Sequence, residues 1–178
     1  MANKRLFLDD YLFYGEYEEM VRTLTSVFDN NSGAKIFNSG IELYMASAIV
    51  GAHFNLRSKP APKTEKTFRI MANQFTQRGD ELNLIFKLVM LNADKDINAP
   101  IDRINNAFKY SPDDPEYQNN ILLFEECMLG GLREIYSNVM LSTNKRFDDY
   151  FNSLNTFISK FKGDQLTEED EIDFGDVF

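Results

Sequence analysis

Hydrophobic positions recur every three or four residues along most of this chain, which is the spacing of one face of an α-helix. The pattern is longest in two segments, 116–141 and 144–162. In the first segment the apolar positions form one stripe: Ile121, Phe124, Met128, Leu132, Ile135 and Val139. In the second segment a stripe rich in phenylalanine lies opposite charged and amide side chains. Both segments are therefore predicted to form long amphipathic helices.

Other segments predict shorter helices. Apolar positions recur over 10–28 and 81–93. Short helices are also predicted over 69–77 and over 99–109, where Pro100 stands in the first turn as proline prefers. The segment behind Ser39 differs, because it is apolar nearly all round. Ser39 and Glu42 stand three residues apart at its start, which is typical of a capping box. A helix without a polar face is usually buried, so this one is predicted to lie at the centre of the fold.

Turn-forming residues separate the predicted helices. The segments that carry them are 29–33, 57–69 with Pro60 and Pro62, 78–80 with Asp80 as the cap of the next helix, and 111–115. Residues 4–8 read as a short extended arm, and no strand pairing is predicted beyond this arm. The predicted architecture is all-α: a compact bundle of about six or seven helices over residues 1–163, followed by an acidic C-terminal tail over 164–178.

Composition fits a soluble protein with its own core. The chain has 178 residues, of which 43% are hydrophobic, so a core can form without staples. A single cysteine, Cys127, cannot form an internal disulfide, which favours a reducing compartment. The longest apolar run, 82–91, contains Lys87 and is far shorter than the roughly 20 residues of a membrane span. We expect a cytoplasmic protein without a membrane partner.

The residues that commonly carry chemistry are sparse. His53 is the only histidine and follows an apolar run, so a structural role is expected. One histidine and one cysteine do not make a zinc site. Cys127 has no base near it in sequence that would activate a nucleophile. Phosphate-binding loops, dinucleotide-binding glycine patterns and nucleophile elbows are missing from the sequence. We therefore expect no enzymatic activity, metal or cofactor.

Charge is distributed unevenly along the chain. The net charge is −9, and the segment from Asp164 onward holds seven acids and no bases. The preceding 163 residues are close to neutral, so local patches decide what the folded part attracts.

The tail combines acids with aromatic residues. A solubilising tail is one interpretation, but phenylalanines near its end favour a short docking motif, with rings in an apolar pocket and carboxylates against a basic rim. The residues predicted to bind a partner in this way are Asp170, Glu171, Asp173, Phe174, Asp176 and Phe178.

Two further features are candidate contact sites. Gly130 and Gly131 lie inside a predicted long helix, where each glycine costs about 1 kcal/mol relative to alanine. Tight internal packing or contact with a partner would compensate. The segment 57–69 is the only markedly basic stretch and is either a solvated loop or a site for a phosphate backbone. Its candidate nucleic-acid contacts are Arg57, Lys59, Lys63, Lys66 and Arg69, with Phe68 to stack on a base.

Two resemblances bear on function. The acids from Asp170 to Asp176 and the terminal Phe178 resemble the tip of bacterial and phage single-stranded DNA-binding proteins. Val177 replaces the usual proline, and the helical body does not resemble their β-barrel. This likeness implies a tail that recruits partners and competes with nucleic acid for the basic loop.

The second resemblance spans roughly residues 4–141. The order of KRLFLDD, EYEEMVRTL, MASAIVGAHFNLR and EECMLGGLREI is similar to that in small accessory proteins of DNA phosphorothioation (Dnd-type) systems. It implies a non-catalytic subunit of a bacterial DNA-defence complex and carries over no catalytic residues.

These features lead to one main hypothesis and two alternatives. The first is a non-enzymatic adaptor that docks on a larger protein subunit of a DNA-transaction complex. The alternative is a nucleic-acid-binding protein whose tail regulates access to 57–69. A tail that imitates DNA and inhibits a DNA-binding enzyme ranks last, because seven acids make a small mimic.

Removal of residues 164–178 tests the docking motif. We expect the truncated protein to lose partners in a quantitative pull-down, because its carboxylates and rings are then missing. Equal recovery of the same partners by both proteins would show that the tail has no docking role.

Overall fold

The computed structural model describes residues 6–29, 33–95, 97–140 and 147–163. Within these ranges it contains seven helices and four short strands. The elements are β1 (Tyr11–Tyr14), α1 (Glu16–Thr25), β2 (Val27–Asp29), β3 (Ala34–Lys35), α2 (Gly40–His53), β4 (Thr67–Ile70), α3 (Ala72–Gln77), α4 (Gly79–Asn92), α5 (Pro100–Phe108), α6 (Pro115–Met140) and α7 (Phe147–Gly163). The all-α class is confirmed, because the strands form only two small antiparallel pairs.

The chain divides into two compact units, Met1–Tyr136 and Ser137–Phe178. The first unit holds the elements from β1 to α5 and most of α6. In the second unit, the side chains of Val139 and Phe157 are buried and that of Ile158 is exposed. Every site discussed below lies in the first unit. The tail from residue 164 onward lies outside the described residues.

Helix α2 is the central helix of the first unit, as the sequence predicts. The Ser39 hydroxyl accepts a hydrogen bond from the Glu42 amide, and the Glu42 carboxylate accepts one from the Asn38 amide. These contacts satisfy backbone donors that a helix start leaves free. Ten of the 14 residues of α2 are buried, which agrees with a helix that has no polar face.

Glycines bring α2 and α6 into backbone contact. A Cβ atom built on Gly131 would lie 1.9 Å from the carbonyl oxygen of Ser47, and one on Gly51 would lie 1.8 Å from that of Cys127. Each glycine therefore faces the backbone of the other helix. Leu, Ala or any other residue with a side chain would separate the two helices.

The glycine pair in α6 serves internal packing and not a partner surface. Gly130 and Gly131 are both buried. A Cβ atom on Gly130 would meet the backbone at Leu56 and Arg57, 2.7–2.8 Å away. The prediction of Gly130 and Gly131 as partner-binding residues is therefore corrected, because their free faces are already occupied by α2 and by the chain that follows it.

The predicted helix over 10–28 is wrong at both ends. Residues Tyr11–Tyr14 form β1, which pairs antiparallel with β4, so that Phe13 lies opposite Phe68. Gly15 has a φ of 57°, which ends the strand before α1 begins. Aromatic residues favour strands when a partner strand is available, and β4 lies more than 50 positions later. Local periodicity could not reveal that pairing.

Three smaller predictions also change. Residues 6–9 form a turn and bends, not an extended arm, and the Phe7 ring packs 5.9 Å from that of Phe75. The helix predicted over 69–77 begins only at Ala72, because β4 occupies Thr67–Ile70. Arg78, not Asp80, is the N-cap residue of α4.

Substitution of Gly131 by alanine tests the contact between α2 and α6. We expect a loss of at least about 2 kcal/mol in the free energy of unfolding, because the new methyl group overlaps the Ser47 carbonyl. Urea denaturation followed by far-UV circular dichroism measures this loss. Gly79→Ala is the matched control, because nothing lies within 4 Å of its Cβ position. Equal stability of the two variants would contradict the packing assignment.

Candidate functional site

The two arginines of the basic segment 57–69 are used to hold the fold. Arg57 forms ion pairs with Asp94 and Glu126. Arg69 pairs with Asp10 at 3.1 Å. Hydrogen bonds from the Ala72 amide and from Arg69 lower the pKa of Asp10, so this carboxylate stays charged. The ion pairs of Arg57 and Arg69 therefore attach the two ends of the segment to the rest of the fold. Both residues were predicted from the sequence to contact nucleic acid.

The three lysines of the segment are differently placed. Lys59, Lys63 and Lys66 are exposed, and none forms an ion pair with the part of the chain that the structure describes. The backbone that carries them is nevertheless fixed. Tyr17 donates a hydrogen bond to the carbonyl oxygen of Lys59 at 2.9 Å, and the Ser58 amide donates one to Glu126. The lysine side chains thus project from an anchored loop.

Phe68 does not present a free ring for stacking. Its side chain is half-buried, and a Cβ atom on Gly40 would lie 2.6 Å from the ring. The guanidinium group of Arg22 lies 5.9 Å from the ring centroid, and the Phe13 ring packs against it edge-on. These contacts explain why Phe68 is a packing residue in β4 and not the predicted platform for a base.

A cleft of about 190 Å³ lies beside the lysine-bearing loop. We call it the tyrosine cleft. Its lining residues come from β1, the start of α1, the loop and α6: Tyr11, Leu12, Phe13, Tyr14, Tyr17, Pro60, Ala61, Lys63, Glu125 and Leu129. Residues separated by more than 100 positions meet here, so the sequence alone contains no signal for this cleft.

Hydrogen bonds hold the polar groups of the tyrosine cleft in position. Tyr11 donates to Oε1 of Glu125 at 2.9 Å. Burial and the negative charge of Glu125 raise the pKa of Tyr11, so its hydroxyl stays protonated and remains a donor. Arg133 donates to the Tyr17 hydroxyl and pairs with Glu16. The cleft therefore has a fixed aromatic wall with a carboxylate at one side.

A second surface consists of apolar side chains on α4 and α5. Ile101, Ile104 and Phe108 form one stripe along α5 and are 60%, 47% and 61% exposed. Leu84 and Leu88 on α4 are also exposed. The ammonium group of Lys87 lies 5.4 Å from the centre of the Phe108 ring, which connects the two helices at this surface. We call these five apolar residues the α4–α5 surface.

Sequence reasoning missed the α4–α5 surface because its pattern is that of a core helix. The spacing of Ile101, Ile104 and Phe108 predicts an apolar face but not what covers it. The structure holds α5 by hydrogen bonds from Arg103 to the carbonyl oxygen of Leu91 and from Asn120 to that of Asn106. The helix is thus attached through its polar side, and its apolar stripe faces outward.

The described residues contain no group of three or more His, Cys, Asp or Glu side chains arranged to hold a metal ion. Among them, no helix combines the length and apolar character that crossing a bilayer requires. The tail residues predicted to dock on a partner, from Asp170 to Phe178, lie outside the described residues.

The reactivity of Cys127 can be tested directly. The thiol is fully buried, and burial raises its pKa to about 11. At about pH 8 only about one thiol in a thousand is then ionised, and the thiolate is the reactive form. We expect a disulfide reagent to modify the folded protein very slowly and the denatured protein at once. Rapid modification of the folded protein would contradict this assignment.

Comparison of the chain with protein-family models, curated proteins and solved structures found no match. The resemblances to single-stranded DNA-binding tails and to Dnd-type accessory proteins therefore stay predictions from the sequence.

Proposed function

We propose that this protein is a non-enzymatic adaptor that binds an amphipathic helix of a larger protein through the α4–α5 surface. The observation that carries the proposal is the exposed stripe of Ile101, Ile104 and Phe108 on a helix that is fixed from behind. Contiguous exposed apolar residues on a soluble domain are typical of interaction sites. A rigid surface also loses little conformational entropy when it binds.

The partner segment is expected to be apolar on one face and acidic beside it. The ammonium group of Lys87 lies beside the Phe108 ring of this surface. Lys109 follows Phe108 directly in the chain, and its ammonium group lies over the ring of Tyr110. A helix with apolar residues at every third or fourth position would cover the stripe. Acidic residues beside those positions would meet the two lysines, which adds orientation and specificity to the apolar contact.

The DNA-related setting of the adaptor comes from the sequence. The Dnd-type resemblance over residues 4–141 supports a subunit of a bacterial DNA-defence complex, and the reducing environment suited to a single cysteine supports the cytoplasm. The acidic tail would supply a second contact, with a basic surface of another subunit. In this arrangement the α4–α5 surface replaces Gly130 and Gly131 as the principal docking site.

The double variant Ile101→Glu/Phe108→Glu tests the docking surface. Both side chains are exposed, so we expect the fold to persist and the partner affinity to fall at least about tenfold, because two charges would be placed in an apolar contact. Ile158→Glu, an exposed apolar position on α7, is the control. Quantitative co-purification from the source cells compares the amount of partner recovered with the wild-type protein, the double variant and the control.

A photo-crosslinking residue at position 104 identifies what covers the surface. We expect it to label an amphipathic helix in another protein, and the label to disappear in the double variant. If the residue labels a second copy of this chain and light scattering shows a dimer, the surface forms a homodimer and the adaptor proposal is wrong. Unchanged co-purification of the double variant would overturn the proposal.

A further inference from the structure

We propose that the tyrosine cleft binds one nucleotide unit, with its base among the tyrosines and its phosphate at the lysines of the loop. The site is separate from the α4–α5 surface and uses none of its residues. The sequence predicts Phe68 as the residue that stacks on a base. Because the Phe68 ring is packed within the fold, we assign the stacking to Tyr14 instead. The shared chemistry is an aromatic base joined to a phosphate, in a free nucleotide or in a single strand.

The size and lining of the cleft suit a single base. Pockets for drug-sized ligands occupy about 300–1,000 Å³, whereas this cleft occupies about 190 Å³. Tyr14 is half-buried and lines the cleft. Base–aromatic stacking contributes about 1–3 kcal/mol in single-strand binding proteins. A flat base can therefore enter where a folded domain or a duplex cannot.

The polar groups of the cleft add selectivity among bases. Oε1 of Glu125 accepts a hydrogen bond from Tyr11, which fixes the carboxylate beside the aromatic wall. A carboxylate has lone pairs for several donors. The amino groups of cytosine, adenine and guanine are such donors, and thymine has no amino group. We therefore expect cytosine to bind more tightly than thymine.

The lysines of the adjacent loop favour an anion over a basic peptide as the ligand of the cleft. Lys63 lines the cleft, and Lys59 and Lys66 are exposed on the same anchored loop. Lysines that project from a fixed backbone can follow a phosphate chain without reading its sequence. The same lysines would repel a Lys- or Arg-rich peptide, although tyrosines and a carboxylate also suit such peptides.

Fluorescence anisotropy with the full chain tests the stacking wall. The probes are fluorescein-labelled dC and dT oligonucleotides of twelve residues at low salt. We expect Tyr14→Ala to weaken dC binding at least fivefold and Tyr14→Phe to leave it nearly unchanged, because phenylalanine keeps the ring. Lys63→Ala is expected to weaken binding to both probes and to reduce the salt slope. Lys35→Ala, at an exposed position on β3, is the control.

Glu125→Gln tests the base preference. The glutamine side chain can still accept from Tyr11, but its amide also donates to the O4 atom of thymine. We expect the wild-type protein to prefer dC over dT at least threefold and the variant to lose this preference. If the role of Glu125 is purely structural, the substitution weakens the binding of both probes to the same extent and leaves the ratio of their affinities unchanged.

Competition separates the two possible sources of the ligand. If cytidine monophosphate displaces the dC probe at a concentration similar to that at which the unlabelled oligonucleotide does, the ligand is a free nucleotide. Displacement by the oligonucleotide alone indicates a single strand. The proposal is overturned if neither probe binds at low salt, if Tyr14→Ala has no effect, or if only a Lys- or Arg-rich peptide occupies the cleft. None of these results affects the adaptor, which depends on other residues.

Discussion

The contact between the backbones of α2 and α6 determines the arrangement of the first unit. Gly51 and Gly131 each face a carbonyl group of the other helix, at distances that leave no room for a Cβ atom. Burial of so much backbone is possible because both helices satisfy their own hydrogen bonds. Two glycines inside one helix are unfavourable for its local stability, and the close packing of a buried α2 compensates for that cost.

The position of α6 in turn controls the tyrosine cleft. Glu125 and Glu126 are adjacent on α6 and contact different parts of the fold. The Glu125 carboxylate accepts the hydrogen bond from Tyr11 of β1. The Glu126 carboxylate pairs with Arg57, and the Glu126 backbone carbonyl oxygen accepts a hydrogen bond from the Ser58 amide. One turn of α6 therefore holds both the strand and the basic loop. The position of this turn therefore sets the distance between the strand and the loop on the two sides of the cleft.

The two proposed surfaces differ in their physical character. The α4–α5 surface is apolar, with the Lys87 ammonium group beside one of its rings. The tyrosine cleft is concave and aromatic, and it is lined by one carboxylate and one ammonium group. Protein helices are recognised mainly through buried apolar area, whereas nucleotides are recognised through stacking and charge. An adaptor that also holds a nucleotide unit would connect a protein partner with a free nucleotide or with a single strand.

The sequence by itself determined the helical class, the central position of α2 with its Ser39 cap, and the approximate ranges of α4 to α7, because these follow from local spacing and local hydrogen bonds. It also indicated that Gly130 and Gly131 needed a close neighbour. Only the tertiary structure decided that α2 and the chain after it are the neighbours of these glycines. It also decided that β1 pairs with β4, that Phe68 packs within the fold and that the apolar stripe of α5 stays exposed. Those outcomes depend on residues far apart in the chain, and periodicity shows that a face is apolar without showing what lies against it.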